Sequence, residues 1–104
     1  MTVKKITKIS EISVENLTDY LRIDFNELSD GEKAEIETLL TVAVSFIKSY
    51  TGLGDDKIDE HADFIIVVYI IVQDMYDNRV LYVDKSNLNK VVDTILGMHS
   101  VNLL

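Results

Sequence analysis

Phe64-Ile-Ile-Val-Val-Tyr-Ile-Ile-Val72 is the stretch on which the fold turns. Its β-branched content suits a buried strand, and periodicity over so short a run does not separate a strand from a buried helix. The flanking residues decide. Ala62, Ile65, Ile66, Tyr69, Val72 and Tyr76 keep helical spacing past the run and into polar sequence, and Glu60 and Asp63 place negative charge where a helix N-terminus favours it. The stretch therefore reads as a helix, ended by Asn78 and Arg79. It is apolar on nearly every side, so it must be covered nearly all round, by the other helices of its own domain or in part by a neighbouring subunit. The apolar run is nine residues long, against the roughly 20 that a membrane-spanning helix needs. No membrane partner is expected.

Working outward, the residues before this helix supply two more. Ser13 caps a first helix over about Val14 to Leu21, with Leu17, Tyr20 and Leu21 on one face. Arg22, Ile23, Asp24 and Phe25 leave that helix, and Ile23 and Phe25 are expected to tuck into the core. Ser29 followed three residues later by Glu32 is a capping box, in which hydroxyl and carboxylate each satisfy an orphan amide. It opens a long second helix with Ile36, Leu39, Leu40, Ala43, Phe46, Ile47 and Tyr50 at helical period, and Gly52 ends it as a residue free to adopt the left-handed cap. Gly54 to Asp59 reads as a polar loop. After Val80 to Val83, an apolar connection, Asp84, Ser86 or Asn87 is expected to cap a fourth helix. Leu88, Val91, Val92, Ile95 and Leu96 form its inner face, and Gly97 is expected to weaken or stop it.

The expected fold class is all-α: a compact bundle of about four helices with a long second and a highly apolar third. A chain of 104 residues with 47% hydrophobic content fits one core, and a domain this small gains from association with copies or partners. The domain is expected over residues 13–98, between a basic N-terminal arm over residues 1–12 and an apolar C-terminal tail over residues 99–104. Lys4, Lys5 and Lys8 give the first eight residues +3, leaving the other 96 at −11 against a net charge of −8. An acidic body argues against tight binding to a phosphate backbone, and a basic arm can tether an acidic partner. The N-terminal residues lack a signal-peptide core, so the expected location is the cytoplasm.

Chemistry is sparse. With no cysteine in the chain, thiolate ligands and thiol nucleophiles are excluded. His61 and His99 stand in no Glu-x-x-His or His-Glu-x-x-His arrangement, and no nucleophile elbow occurs. No catalytic residue, cofactor or enzyme activity is expected. The acidic stretch Asp55, Asp56, Asp59, Glu60, His61 and Asp63 is the one cluster that resembles a metal site. It lacks the spacing and terminal glutamate of a calcium loop and reads as a solvated cap, so no metal site is expected. Arg22 and Arg79, the only arginines, each follow a helix, where a cation meets the negative dipole end. Capping or ion pairing suits both, and an intersubunit pair is the sharper alternative.

Three blocks together resemble a known family. Leu17-Thr-Asp-Tyr-Leu-Arg-Ile-Asp24 looks like its opening helix followed by Leu-Arg-Ile-Asp. Ala43 through Phe46-Ile-Lys-Ser-Tyr-Thr-Gly52 looks like its long helix ending in an aromatic, threonine and glycine. Val72-Gln-Asp-Met-Tyr-Asp-Asn-Arg79 is similar to its hydrophobic helix ending Tyr-x-Asn-Arg. The blocks, in the same order and at similar separations, resemble the phage head-tail connector or head completion adaptor proteins, some of which are labelled putative DNA packaging proteins. The sequence departs from that pattern at Asp55 to Asp59, where the family often has proline, and at Leu96-Gly-Met-His99, which lacks the usual basic residue.

The resemblance implies a structural subunit that joins a homo-oligomeric ring of about twelve copies on the portal protein after DNA packaging. It would receive a stopper or tail-completion protein and let DNA pass without tight binding. The location implied is host cytoplasm during assembly, then the head-tail junction of the virion. Interface residues expected on this reading are Lys4, Lys5, Lys8, Arg22, Tyr76, Arg79, Val101, Leu103 and Leu104. The alternative is a small acidic regulatory protein acting through a helical protein-binding surface.

Overall fold

The computed structural model describes residues 6–101. Five α-helices carry these residues: α1 (Val14–Leu21), α2 (Asp30–Thr51), α3 (Asp55–Ile58), α4 (Phe64–Asn78) and α5 (Lys90–His99), with short 3-10 turns at Ile9–Glu11, Phe25–Glu27 and Lys85–Asn87. No strand occurs among the described residues, and the all-α bundle is as the sequence predicts. The β-branched run is a helix.

Local hydrogen bonds set most of the boundaries. Ser13 Oγ accepts from the Asn16 N–H at 3.2 Å to open α1. Ser29 Oγ accepts from the Glu32 N–H at 3.1 Å while Glu32 Oε1 accepts from the Ser29 N–H at 3.0 Å, so the expected capping box opens α2. The Ser29 N–H first, and then the Ser29 hydroxyl, hold the Glu32 carboxyl below its ordinary range. Gly52, at φ 76°, closes the helix. The loop expected after it contains α3, a single turn whose Ile58 reaches the core.

α4 packs along α2, α5 lies against both, and α1 bridges α2 and α4. The buried stripe of α4 is Phe64, Val67, Val68, Ile71, Val72 and Met75. Of the residues that keep helical spacing past the run, Ala62, Ile65, Ile66, Tyr69, Val72 and Tyr76, only Val72 belongs to this stripe, and Ile66 is 52% exposed. A helix apolar all round carries almost no phase information in its own sequence, so its neighbours choose the face. Opposite it, α2 contributes Ile36, Leu39, Ala43, Phe46 and Ile47, α1 contributes Leu17, and α5 contributes Val92 and Leu96. Buried Thr18 and Thr51 spend their hydroxyls on the carbonyls of Glu15 and Ile47. No buried side-chain polar atom among the described residues lacks a partner.

Other details differ from the sequence reading. Ile9 and Ile12, placed in the arm, are buried, and Ser10 is pinned to Asp59 through its N–H at 3.0 Å and its hydroxyl at 2.7 Å. The domain thus takes in residues assigned to the arm. Ile23 and Phe25 are half-buried and lie outside the core, Phe25 lying beneath the Lys33 ammonium at 4.4 Å. Asn89, not Asp84, Ser86 or Asn87, caps α5, by accepting from the Val91 and Val92 N–H groups; Asp84 caps the preceding 3-10 turn instead. α5 runs through Gly97 to His99, and Val91, expected inside, is 50% exposed. A lone helical glycine costs about 1 kcal/mol relative to alanine, too little to stop a helix whose Val92 and Leu96 are fully buried.

Candidate functional site

Of the residues expected at an interface, Tyr76 and Arg79 come together. Arg79 lies at φ 54°, the left-handed position just past α4, and its N–H reaches back to the carbonyls of Met75 and Tyr76 while the Val80 N–H reaches Met75. The guanidinium then sits over the Tyr76 ring at 4.9 Å from its centroid, a cation–π contact. Both residues line a groove of about 320 Å³ with Leu28, Ile36, Met75 and Leu81 along its apolar side and Glu32 and Glu35 on its rim. Leu81, in the connection from α4 to α5, is 62% exposed on the groove's edge, and Tyr82, next in the chain, is 63% exposed outside it.

Arg22 occupies the same kind of position at the end of α1, at φ 61°, and lies outside that groove. Lys8 is exposed before the first 3-10 turn, its N–H donating to Glu11 at 3.1 Å. Val101 is 45% exposed while its N–H donates to the Thr51 carbonyl at 2.8 Å, tying the end of α5 to the end of α2. Lys4, Lys5, Leu103 and Leu104 lie outside the described residues.

A second cluster joins His99 to two residues, His61 and Asp63, of the acidic stretch that the sequence singles out. His99, at the end of α5, meets His61 and Asp63, on the segment leading into α4. His99 Nε2 donates to Asp63 Oδ2 at 2.9 Å, and the two imidazoles lie 4.0 Å apart at 33°. Both rings rest on fully buried Phe64, with centroids 5.1 and 5.2 Å from it. One ligand atom from each of His61, Asp63 and His99 lies within 4.8 Å of the others. The only sequence signal for this meeting is that these are the chain's two histidines.

The surroundings are acidic. Residues 55–63 hold five carboxylates and one lysine; Lys48 pairs with Asp55, and Lys57 pairs with Glu60 at 3.6 Å. The hydroxyl of Ser100, next in the chain after His99, is committed to the Leu96 carbonyl at 2.7 Å. The arrangement is suited to holding a cation and clamping α5 to α4.

A comparison with protein-family models, curated proteins and solved structures returns no significant match.

Proposed function

We propose that the chain is a non-enzymatic head-tail connector subunit of a tailed bacteriophage or prophage, forming a ring on the portal and linking capsid to tail. The three blocks that resemble the connector family supply the class. The observation that carries the reading is exposed Tyr82 next to a groove that Tyr76, Arg79 and exposed Leu81 line. Aromatic and arginine side chains around an apolar groove are the side chains that dominate protein interfaces. An exposed aromatic tip next to such a groove, with Leu81 on the groove's edge, fits one copy's Tyr82 seating in the groove of the next, a head-to-tail contact that closes into a ring when the rotation allows. The net charge of −8 suits a channel component that lets DNA slide, because like charge keeps phosphate contacts weak.

Native mass spectrometry of this protein mixed with the portal protein encoded beside it tests the proposal. The expected result is a discrete multi-copy adduct on the portal ring. With both proteins folded, no adduct would overturn the connector reading and favour the small acidic regulatory protein.

A further inference from the structure

We propose that His61, Asp63 and His99 form a binding site for a divalent transition-metal ion of the zinc type, closing the end of α5 onto the start of α4. This runs against the sequence expectation of no metal site, and it stands independently of the connector reading.

The donor set comes first. Two imidazoles and one carboxylate are the ligands that zinc, nickel and cobalt take, and three protein ligands leave a position for water or for a donor from a second molecule. Calcium and magnesium prefer all-oxygen cages. The chain has two histidines and no cysteine, so every nitrogen-bearing or sulfur-bearing side chain that commonly holds such an ion is in this one place. They arrive there from positions 38 residues apart, by the packing of α5 on α4.

Geometry comes next. Donors around a tetrahedral zinc ion stand about 3.3 Å apart, given bonds of about 2.0 to 2.2 Å. The three ligand atoms here lie within 4.8 Å of one another, and His99 and Asp63 are already at 2.9 Å. Closure therefore needs a movement of about 1.5 Å at most, mainly a turn of the His61 ring, which is half-buried and contacts only aromatic faces in the ring contacts described. The ligating nitrogen must be free of its proton, so an ion binding through His99 Nε2 replaces the hydrogen bond to Asp63, and the ring proton of a neutral imidazole moves to Nδ1.

The setting supports a cation. Asp59 and Glu60 flank the cluster on the same segment, and their negative potential raises the local cation concentration. Asp59 is fixed by Ser10 and is not required as a ligand. Phe64 forms a dry floor beneath the rings, which strengthens ion–ligand contacts by excluding competing water on that side.

The test uses the full chain without a histidine tag, titrated with zinc chloride and, for its visible absorption, cobalt chloride. Calorimetry should give one ion per chain. The Tm should rise by about 10 °C when free zinc stands about a hundredfold above Kd. His99→Ala also removes the bond to Asp63 and can loosen α5, so the deciding variant is His61→Gln, which leaves that bond in place. It should fold with the Tm of the parent chain and bind zinc at least about tenfold more weakly. No zinc binding by the parent chain, unchanged affinity in His61→Gln, or an equal Tm response to calcium would each overturn the site.

Discussion

The corner between α1 and α2 and the corner between α4 and α5 are built to one recipe and differ by three residues. Each begins with an arginine in the left-handed conformation, Arg22 at φ 61° and Arg79 at φ 54°. At each, the arginine N–H bonds back three residues and the next N–H, of Ile23 or Val80, bonds back five, the Schellman pattern that satisfies the last carbonyls of a helix. Each then uses an aspartate, Asp24 or Asp84, to cap a 3-10 turn by accepting the N–H two residues on, at 3.0 Å. Each ends in an extended leucine, Leu28 or Leu88, before Ser29 or Asn89 caps the next helix.

Between arginine and aspartate the first corner has one residue, Ile23, and the second has four, Val80 to Val83. Arginine to next N-cap is a complete local solution in the first corner. The extra length in the second is therefore not needed to turn the chain, and it is where Leu81 and Tyr82 are exposed. Val80 and Val83 of that segment pack against the core, so the comparison singles out Leu81 and Tyr82 as the residues that the corner's own folding leaves outside.

The largest effect should come from breaking that difference. Leu81→Ser with Tyr82→Ser should abolish the multi-copy adduct on the portal while leaving the isolated subunit's stability within about 0.5 kcal/mol, as exposed positions allow. Native mass spectrometry and thermal melts read the two arms. Arg22→Ala, in the corner without the tip, should leave assembly intact; equal loss from both would make the corners equivalent and sink the distinction.

Next come the caps. Ser29→Ala and Asn89→Ala should each cost about 1 kcal/mol in urea melts. The two losses should differ in where they are felt. α2 spans 22 residues and α5 ten, so hydrogen exchange should spread through α5 after Asn89→Ala and stay in the first turn of α2 after Ser29→Ala.

Glycine at the arginine positions should have a smaller effect of opposite sign. A side chain in the left-handed region is strained by about 1 kcal/mol, partly offset on substitution by glycine's greater unfolded-state entropy. Arg22→Gly should stabilise by about 0.5 kcal/mol. Arg79→Gly should be near neutral, because it also removes a contact with Tyr76 of about 0.5 kcal/mol. A larger gain at Arg79 would show that its ring contact contributes nothing.

The smallest effect is acidic. Asp84 is held below its ordinary carboxylate value of 3.8, first by the Asn87 side chain and then by the Ser86 N–H. Its folded value is lowered, so its contribution is present above the unfolded value and fades as pH falls through the lower folded one. Asp84→Asn should therefore flatten the acid limb of stability below about pH 4, measured by urea melts across that range. An unchanged limb would show the turn to be indifferent to the charge.

The sequence alone determined what is decided within a few residues. Ser13, Ser29 and Gly52 mark their helix boundaries because caps act on amides and carbonyls one turn away, and Asn78 and Arg79 end α4 for the same reason. Helical spacing continuing past Val72 was enough to make the β-branched run a helix. It could not say which way that helix faces, because every side is apolar; α2 and α5 set the stripe through Val67, Val68 and Ile71. Gly97 misled because helix propensity is weak beside the burial of Val92 and Leu96. Tyr76 and Arg79 were each legible as interface candidates, whereas their ring contact and the groove around them, which needs Leu28 and Ile36 from earlier in the chain, came from the packed structure. The meeting of His61 and Asp63 with His99 was decided by tertiary structure alone, since only the docking of α5 on α4 brings side chains that far apart in the chain within ligand distance.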